Sequence, residues 1–225
     1  RPADPLVAAL FGHIVGPMAD ALGTLRRFLL LTGLYYAGAV LASLYLRTPD
    51  DITLFWPSAG IGYAVVVAWG KRWAVIVPFA MLLLHLTVLP VPAAFLPYSV
   101  ASNTLATLVA GWYADRHRRA DGLHLRTGDG LMLLRGGVLL ALTDAVMGTT
   151  GLVHAGMVQP FEAPRAYLLW TLGDLLGITT MAPALTLLFA PTGRRSAPSR
   201  SPAPRMNSRA GTARRTLARA SMSSG

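Results

Sequence analysis

Uncharged apolar stretches recur along this chain, each near the roughly 20 residues that a helix needs to cross a bilayer core. Phe28–Leu46 and Ile52–Gly70 contain no Asp, Glu, Lys or Arg. Trp73–Ala114 contains none either, but it is about twice the length of one crossing and carries Pro90, Pro92 and Pro97 near its middle. Bunched prolines break a helix and favour a turn, so this stretch predicts two helices, 73–89 and 93–114. Two more runs, 131–153 and 166–190, each hold one interior aspartate, Asp144 and Asp174. The pattern predicts an all-α polytopic transmembrane helix bundle of about six spans: 28–46, 52–70, 73–89, 93–114, 131–153 and 166–190.

The connecting segments predict the orientation. Cytoplasmic loops are enriched in Lys and Arg. Arg26 and Arg27 precede the first span, Lys71 and Arg72 join the second to the third, and Arg116, Arg118, Arg119 and Arg126 join the fourth to the fifth. The alternate connections hold only Arg47 and Arg165, with Asp50, Asp51 and Glu162. Both ends of the bundle are therefore expected in the cytoplasm. A soluble helical core has no reason to sort its loop charge in this way.

Composition sharpens the reading. Hydrophobic residues make up 53% of the 225 positions and charged ones 13%, about half the usual share of a globular domain. There is no cysteine, which excludes a disulfide scaffold, a thiolate metal site and a cysteine nucleophile. The net charge of +10 invites a nucleic-acid partner only if it lies on a folded polar surface. Eight arginines instead lie in residues 191–225, and the remainder of the chain has a net charge of +2. That tail, rich in Arg, Ser and Pro and without acid, is expected to be disordered. It reads either as a polybasic arm for anionic lipid or as an unselected tail, and nucleic acid is not expected as a partner. Residues 1–27 form an N-terminal segment in which Pro5–Leu22 suggests an interfacial helix. The absent initiator Met and the abrupt tail suggest a fragment or a truncated product.

Charged groups inside a membrane are costly, so each one marks a candidate site. At about 1.5 Å of rise per residue, Asp144 and Asp174 fall at similar depth in the outer half of the core. His85 and Asn103 fall near the same layer. Two carboxylates close together at low dielectric call for a shared proton or a bridging cation. The four side chains thus read as a pocket for a proton, cation or small ligand. The alternative is four structural groups, each hydrogen-bonded to a neighbouring helix. Gly173 and Gly177 frame Asp174 at the G-x-x-x-G spacing that lets helices approach closely. Trp56 suits a membrane interface, Pro57 a first helical turn, and Gly60 a flat packing face. No dinucleotide fingerprint, phosphate loop or nucleophile elbow occurs, so neither catalytic residue, metal ligand nor cofactor is expected.

Three segments in order carry a family resemblance over residues 28–190. Leu54-Phe55-Trp56-Pro57-Ser58-Ala59-Gly60-Ile61-Gly62 is similar to the tryptophan-proline-x-x-glycine signature of the membrane-associated sensor domain of the first type, the MASE family. Ala101-Ser102-Asn103-Thr104-Leu105 resembles its small-residue and asparagine stretch. Trp170-Thr171-Leu172-Gly173-Asp174-Leu175-Leu176-Gly177 with Met181-Ala182-Pro183 resembles its tryptophan and glycine-aspartate-x-x-glycine segment with a downstream alanine-proline. The resemblance implies a bacterial integral-membrane sensory input domain of the inner membrane rather than an enzyme. Such domains are normally coupled to a histidine kinase, as in two-component systems, or to a cyclic-di-GMP output, and they usually have about eight spans. Here the apolar pattern stops after the sixth, and residues 191–225 do not read as an output domain. The partners expected are the lipid bilayer, a cytoplasmic output domain or kinase, and a second copy packed through membrane helices. The rival readings are a small ion-coupled carrier using the Asp144/Asp174 layer and a truncated, silent remnant.

Overall fold

The computed structural model describes residues 5–46, 53–117 and 127–189, with residues 5–19 and 127–128 described by backbone alone. Arg47, Asp50 and Asp51, Arg118, Arg119 and Arg126, and the whole of 191–225 lie outside the described residues. The elements are α1 (Pro5–Tyr45), α2 (Pro57–Trp69), a 3-10 turn (Lys71–Val75), α3 (Ile76–Thr87), α4 (Leu96–His117), α5 (Thr127–His154), a second 3-10 turn (Pro160–Glu162) and α6 (Ala163–Phe189). The helices fall where the six apolar runs predict them, with shifted ends. α1 is continuous from Pro5, so no break separates the N-terminal segment from the run at 28–46.

Three helical stretches are long and apolar enough to cross a membrane: Asp20–Tyr45, Asp129–His154 and Pro160–Phe189. Their outer faces expose large apolar side chains such as Leu30, Leu44, Val146, Leu168 and Leu188. Apolar surface on this scale marks a membrane or protein contact. α2 is different. Its 13 residues rise about 20 Å, short of a 30 Å hydrocarbon core, and every residue from Pro57 to Val67 is buried. A helix that is apolar all round belongs inside a structure, and α2 is the centre of this one.

α2 joins two cores. Tyr63 and Val66 pack with Ala110 of α4, Leu140 of α5 and Ile178 of α6. Ile61 and Val65 pack with Tyr35 of α1 and with Trp73, Ile76 and Leu84 around α3. Polar ties reinforce this position: the Ser58 hydroxyl donates to the Tyr35 carbonyl (2.8 Å) and the Tyr63 hydroxyl to the Met132 carbonyl (3.4 Å). α2 ends at Gly70, whose φ of 93° favours glycine and whose N–H closes on Val66. α4 turns a small and polar stripe inward (Ser99, Ser102, Asn103, Ala106, Thr107, Ala110), which explains why its composition is less apolar than a lipid-facing helix.

The two ends of the bundle differ. At one, the Arg27 guanidinium lies 5.7 Å from the centre of Trp69 and 5.9 Å from that of Trp73. Trp69 meets Phe189 at 4.5 Å, and Lys71 packs over Gly111. At the other, Phe95 meets Trp170 edge-on at 6.5 Å, and Tyr98 meets His154 at 5.3 Å. Arg27 of α1 and Lys71 after α2 thus share one end with the Gly111 turn of α4.

Candidate functional site

The non-helical segment Thr53–Trp56 lies directly against α6. The Trp56 N–H donates to the Gly173 carbonyl at 3.0 Å. A Cβ on Gly173 would stand 2.5 Å from the Thr53 carbonyl oxygen, one on Gly177 would overlap the Trp56 carbonyl, and one on Gly60 would overlap the Gly177 carbonyl. Residues four apart share a helix face, so Gly173 and Gly177 together make a backbone-wide seat. The motif glycines therefore meet the main chain of the Trp56-Pro57 signature itself. Pro57 opens α2 buried, and Pro183 lies on the exposed side of α6.

Seating this segment places Trp56 over α4. Its Nε1–H donates to Asn103 Oδ1 (3.3 Å), and the Tyr35 hydroxyl donates to the same oxygen (3.0 Å). The Asn103 amide nitrogen donates to the Ser99 carbonyl (3.0 Å), so two donors and one acceptor fix its orientation. The Ser99 hydroxyl pairs with His85 Nε2 (2.9 Å), and His85 Nδ1 lies 2.9 Å from the Leu89 carbonyl. A carbonyl only accepts, so Nδ1 carries the proton, and in the neutral ring Nε2 accepts from Ser99.

One helix further in, Asp144 of α5 and Asp174 of α6 are each 1% exposed and face one another, with Ser102 beside Asp144. Trp170 Nε1–H donates to Asp144 Oδ2 at 3.2 Å. Asp144 Oδ1 and both oxygens of Asp174 have no hydrogen-bond partner among the described residues. Buried polar atoms are almost always satisfied, so three orphaned oxygens on two adjoining carboxyls indicate a missing proton, ion or ligand.

A cavity of about 260 Å³ opens beside the pair at the end away from Arg27 and Lys71. Asp174, His85 and Asn103 line it, together with Trp56, Trp170 and Phe95. Three of the four predicted polar residues share this cavity, and Asp144 stands behind it, bound to Trp170. Sequence reasoning did not select Tyr35, Ser99, Ser102 or Phe95. The signal for the serines was available, since Ser99, Ser102 and Asn103 stand at i, i+3 and i+4 on one face of α4; nothing singled out Tyr35 among the aromatic residues of α1. Trp170, singled out in the sequence only as part of the motif that carries the resemblance, is a hydrogen-bond donor to Asp144.

The MASE1 family model matches residues 27–214. No curated protein and no solved structure matches the chain.

Proposed function

The chain belongs to the MASE1 family of membrane sensory domains, and from that premise we propose that it is a multi-pass sensory input module of a bacterial inner membrane. In this reading residues 28–190 form the sensor with about six crossings, the one at α2 completed by the non-helical Thr53–Trp56 segment, 1–27 form an N-terminal extension, and 191–225 a basic tail. The basic end faces the cytoplasm, both termini lie there, and the cavity opens outward. The output is a histidine kinase or cyclic-di-GMP domain, and copies pair through membrane helices. The chain itself performs no catalysis.

The observation that supports this most is the orphaned Asp174 carboxyl, buried and lining a cavity to whose wall Thr53 and Trp56 contribute. A ligand there contacts the segment that leads into α2, and α2 belongs to both cores. Seated and displaced positions of Trp56 on the glycine face of α6 are the two states whose populations the ligand shifts. A chimera carrying this chain ahead of a kinase or cyclase output tests it. Asp174→Asn changes basal output at unchanged membrane level; identical output and identical level would refute the sensory role of the acid pair.

A second reading has one observation in its favour. α2 is too short to span the membrane alone and is entered by a non-helical segment, and interrupted helices beside midplane carboxylates are common in carriers. Uptake into proteoliposomes that is lost in Asp144→Asn would favour a carrier, and its absence the sensor.

A further inference from the structure

We infer that the Asp174 cavity binds a small protonated amine; this identifies the ligand class of the site proposed above and rests on that reading only for its signalling consequence. The inference starts from volume. An apolar cavity of about 150 Å³ holds benzene, so by proportion about 260 Å³ accommodates roughly ten non-hydrogen atoms. That is far more than a bare proton or a single inorganic ion requires. The occupant is a small organic molecule.

Charge comes next. Asp174 is 1% exposed, lines the cavity, and leaves both carboxyl oxygens without a donor among the described residues. Asp144 adjoins it with a third orphaned oxygen. Among the described residues, no Lys or Arg lines the cavity. An incoming anion would meet the Asp174 carboxyl with Asp144 behind it, and a neutral apolar ligand would leave the orphaned acceptors as they are. A protonated amine brings N–H donors to the Asp174 oxygens and a positive charge beside the acid pair.

The remaining wall fits the same class. Trp56, Trp170 and Phe95 contribute three aromatic rings. Both indole N–H groups are already committed, to Asn103 and to Asp144, so the tryptophans offer the cavity ring carbon only. Aromatic rings attract cations through their quadrupole and accept the apolar body of an organic amine equally well. His85 and Asn103 are held by Ser99, Leu89, Tyr35 and Trp56, so their polar atoms are engaged with these neighbours rather than with the acid pair. A carboxylate set among aromatic rings selects for charge and for carbon together.

The test uses the full chain in nanodiscs, with empty nanodiscs as the blank. Phenethylammonium and n-butylammonium are titrated and followed by calorimetry and by the fluorescence of the tryptophans. The comparison ligand is 2-phenylethanol, a neutral molecule of the same size and shape as phenethylammonium. Saturable amine binding is expected, at least tenfold tighter than 2-phenylethanol, and weakened at least tenfold by Asp174→Asn. Equal binding of the alcohol, or no saturable amine binding, overturns the inference. So does saturable sodium binding that neither amine displaces. The alcohol comparison is made on the unaltered chain, so it stands even where Asp174→Asn fails to fold. Amine binding with no change in chimera output would reject the sensory reading and keep the amine site. An output change in Asp174→Asn without amine binding would do the reverse.

Discussion

Gly177 gives the most direct test of the seat on α6. Its Cα faces the Trp56 carbonyl so closely that an added methyl group overlaps it. Gly177→Ala must therefore move the Thr53–Trp56 segment away from α6 or spread α2 from α6. Moving the segment breaks the 3.0 Å bond from the Trp56 N–H to Gly173. A buried donor left unpaired costs about 1–3 kcal/mol, and overpacking in a tight interior adds about 1–3 kcal/mol. The expected loss is thus about 2–6 kcal/mol. Gly33→Ala is the matched control, because Gly33 is exposed in the middle of α1 and a Cβ there meets nothing within 4 Å. Removing a glycine from an open helical position stabilises by about 0.5–1 kcal/mol. Equilibrium unfolding in mixed micelles, followed by circular dichroism, compares the two. Gly177→Ala should fall well below the unaltered chain and Gly33→Ala should lie at or above it. If both alanine variants shift stability equally, or Gly177→Ala is neutral, the backbone-to-backbone seat is wrong.

Other substitutions probe the polar layer and the topology. Asp144→Asn places an amide donor against Asp174 and should leave unfolding unchanged or later, whereas Asp144→Ala strands the Trp170 N–H and should lower stability by about 1–3 kcal/mol, both read by the same unfolding curve. Tyr35→Phe and Trp56→Phe each remove one donor from Asn103 Oδ1 and should each cost about 0.5–1.5 kcal/mol. The double variant strips both donors and should exceed the sum of the singles, a coupling that a double-mutant cycle reads directly; simple additivity would contradict the shared acceptor. A reporter fused after Arg119 should read cytoplasmic and one fused after Gln159 external, and the opposite pattern would invert the proposed topology.

The parts of this architecture that the sequence made legible are those governed by solvation. A lipid-spanning helix must be apolar along its length, so α5 and α6 were readable to within a few residues, apart from the first turn of α5. A carboxylate within such a helix is conspicuous, so Asp144 and Asp174 stood out without any structure. That the two would stand level with one another followed from helical rise, and they adjoin. The serine and asparagine stripe on α4 was present in the pattern but is ordinary for a membrane helix, and only its facing partners give it meaning.

What remained hidden depends on which apolar surface meets which. Ile52–Gly70 has the composition of a crossing, yet its helix starts only at Pro57 and touches protein on all sides. Hydropathy cannot separate lipid from packed side chains, because both are equally apolar. The difference lies instead in the glycines: Gly60, Gly173 and Gly177 each stand where a Cβ would strike main chain, and main chain approaches a helix that closely only when the neighbour is protein. Gly-x-x-x-Gly alone is compatible with many partners, among them a second copy. The Trp56-Pro57 segment becomes the partner once its N–H bonds Gly173. The two sequence signatures, 117 residues apart from Trp56 to Gly173, are thus the two halves of one contact, with the acid pair and the cavity built beside it.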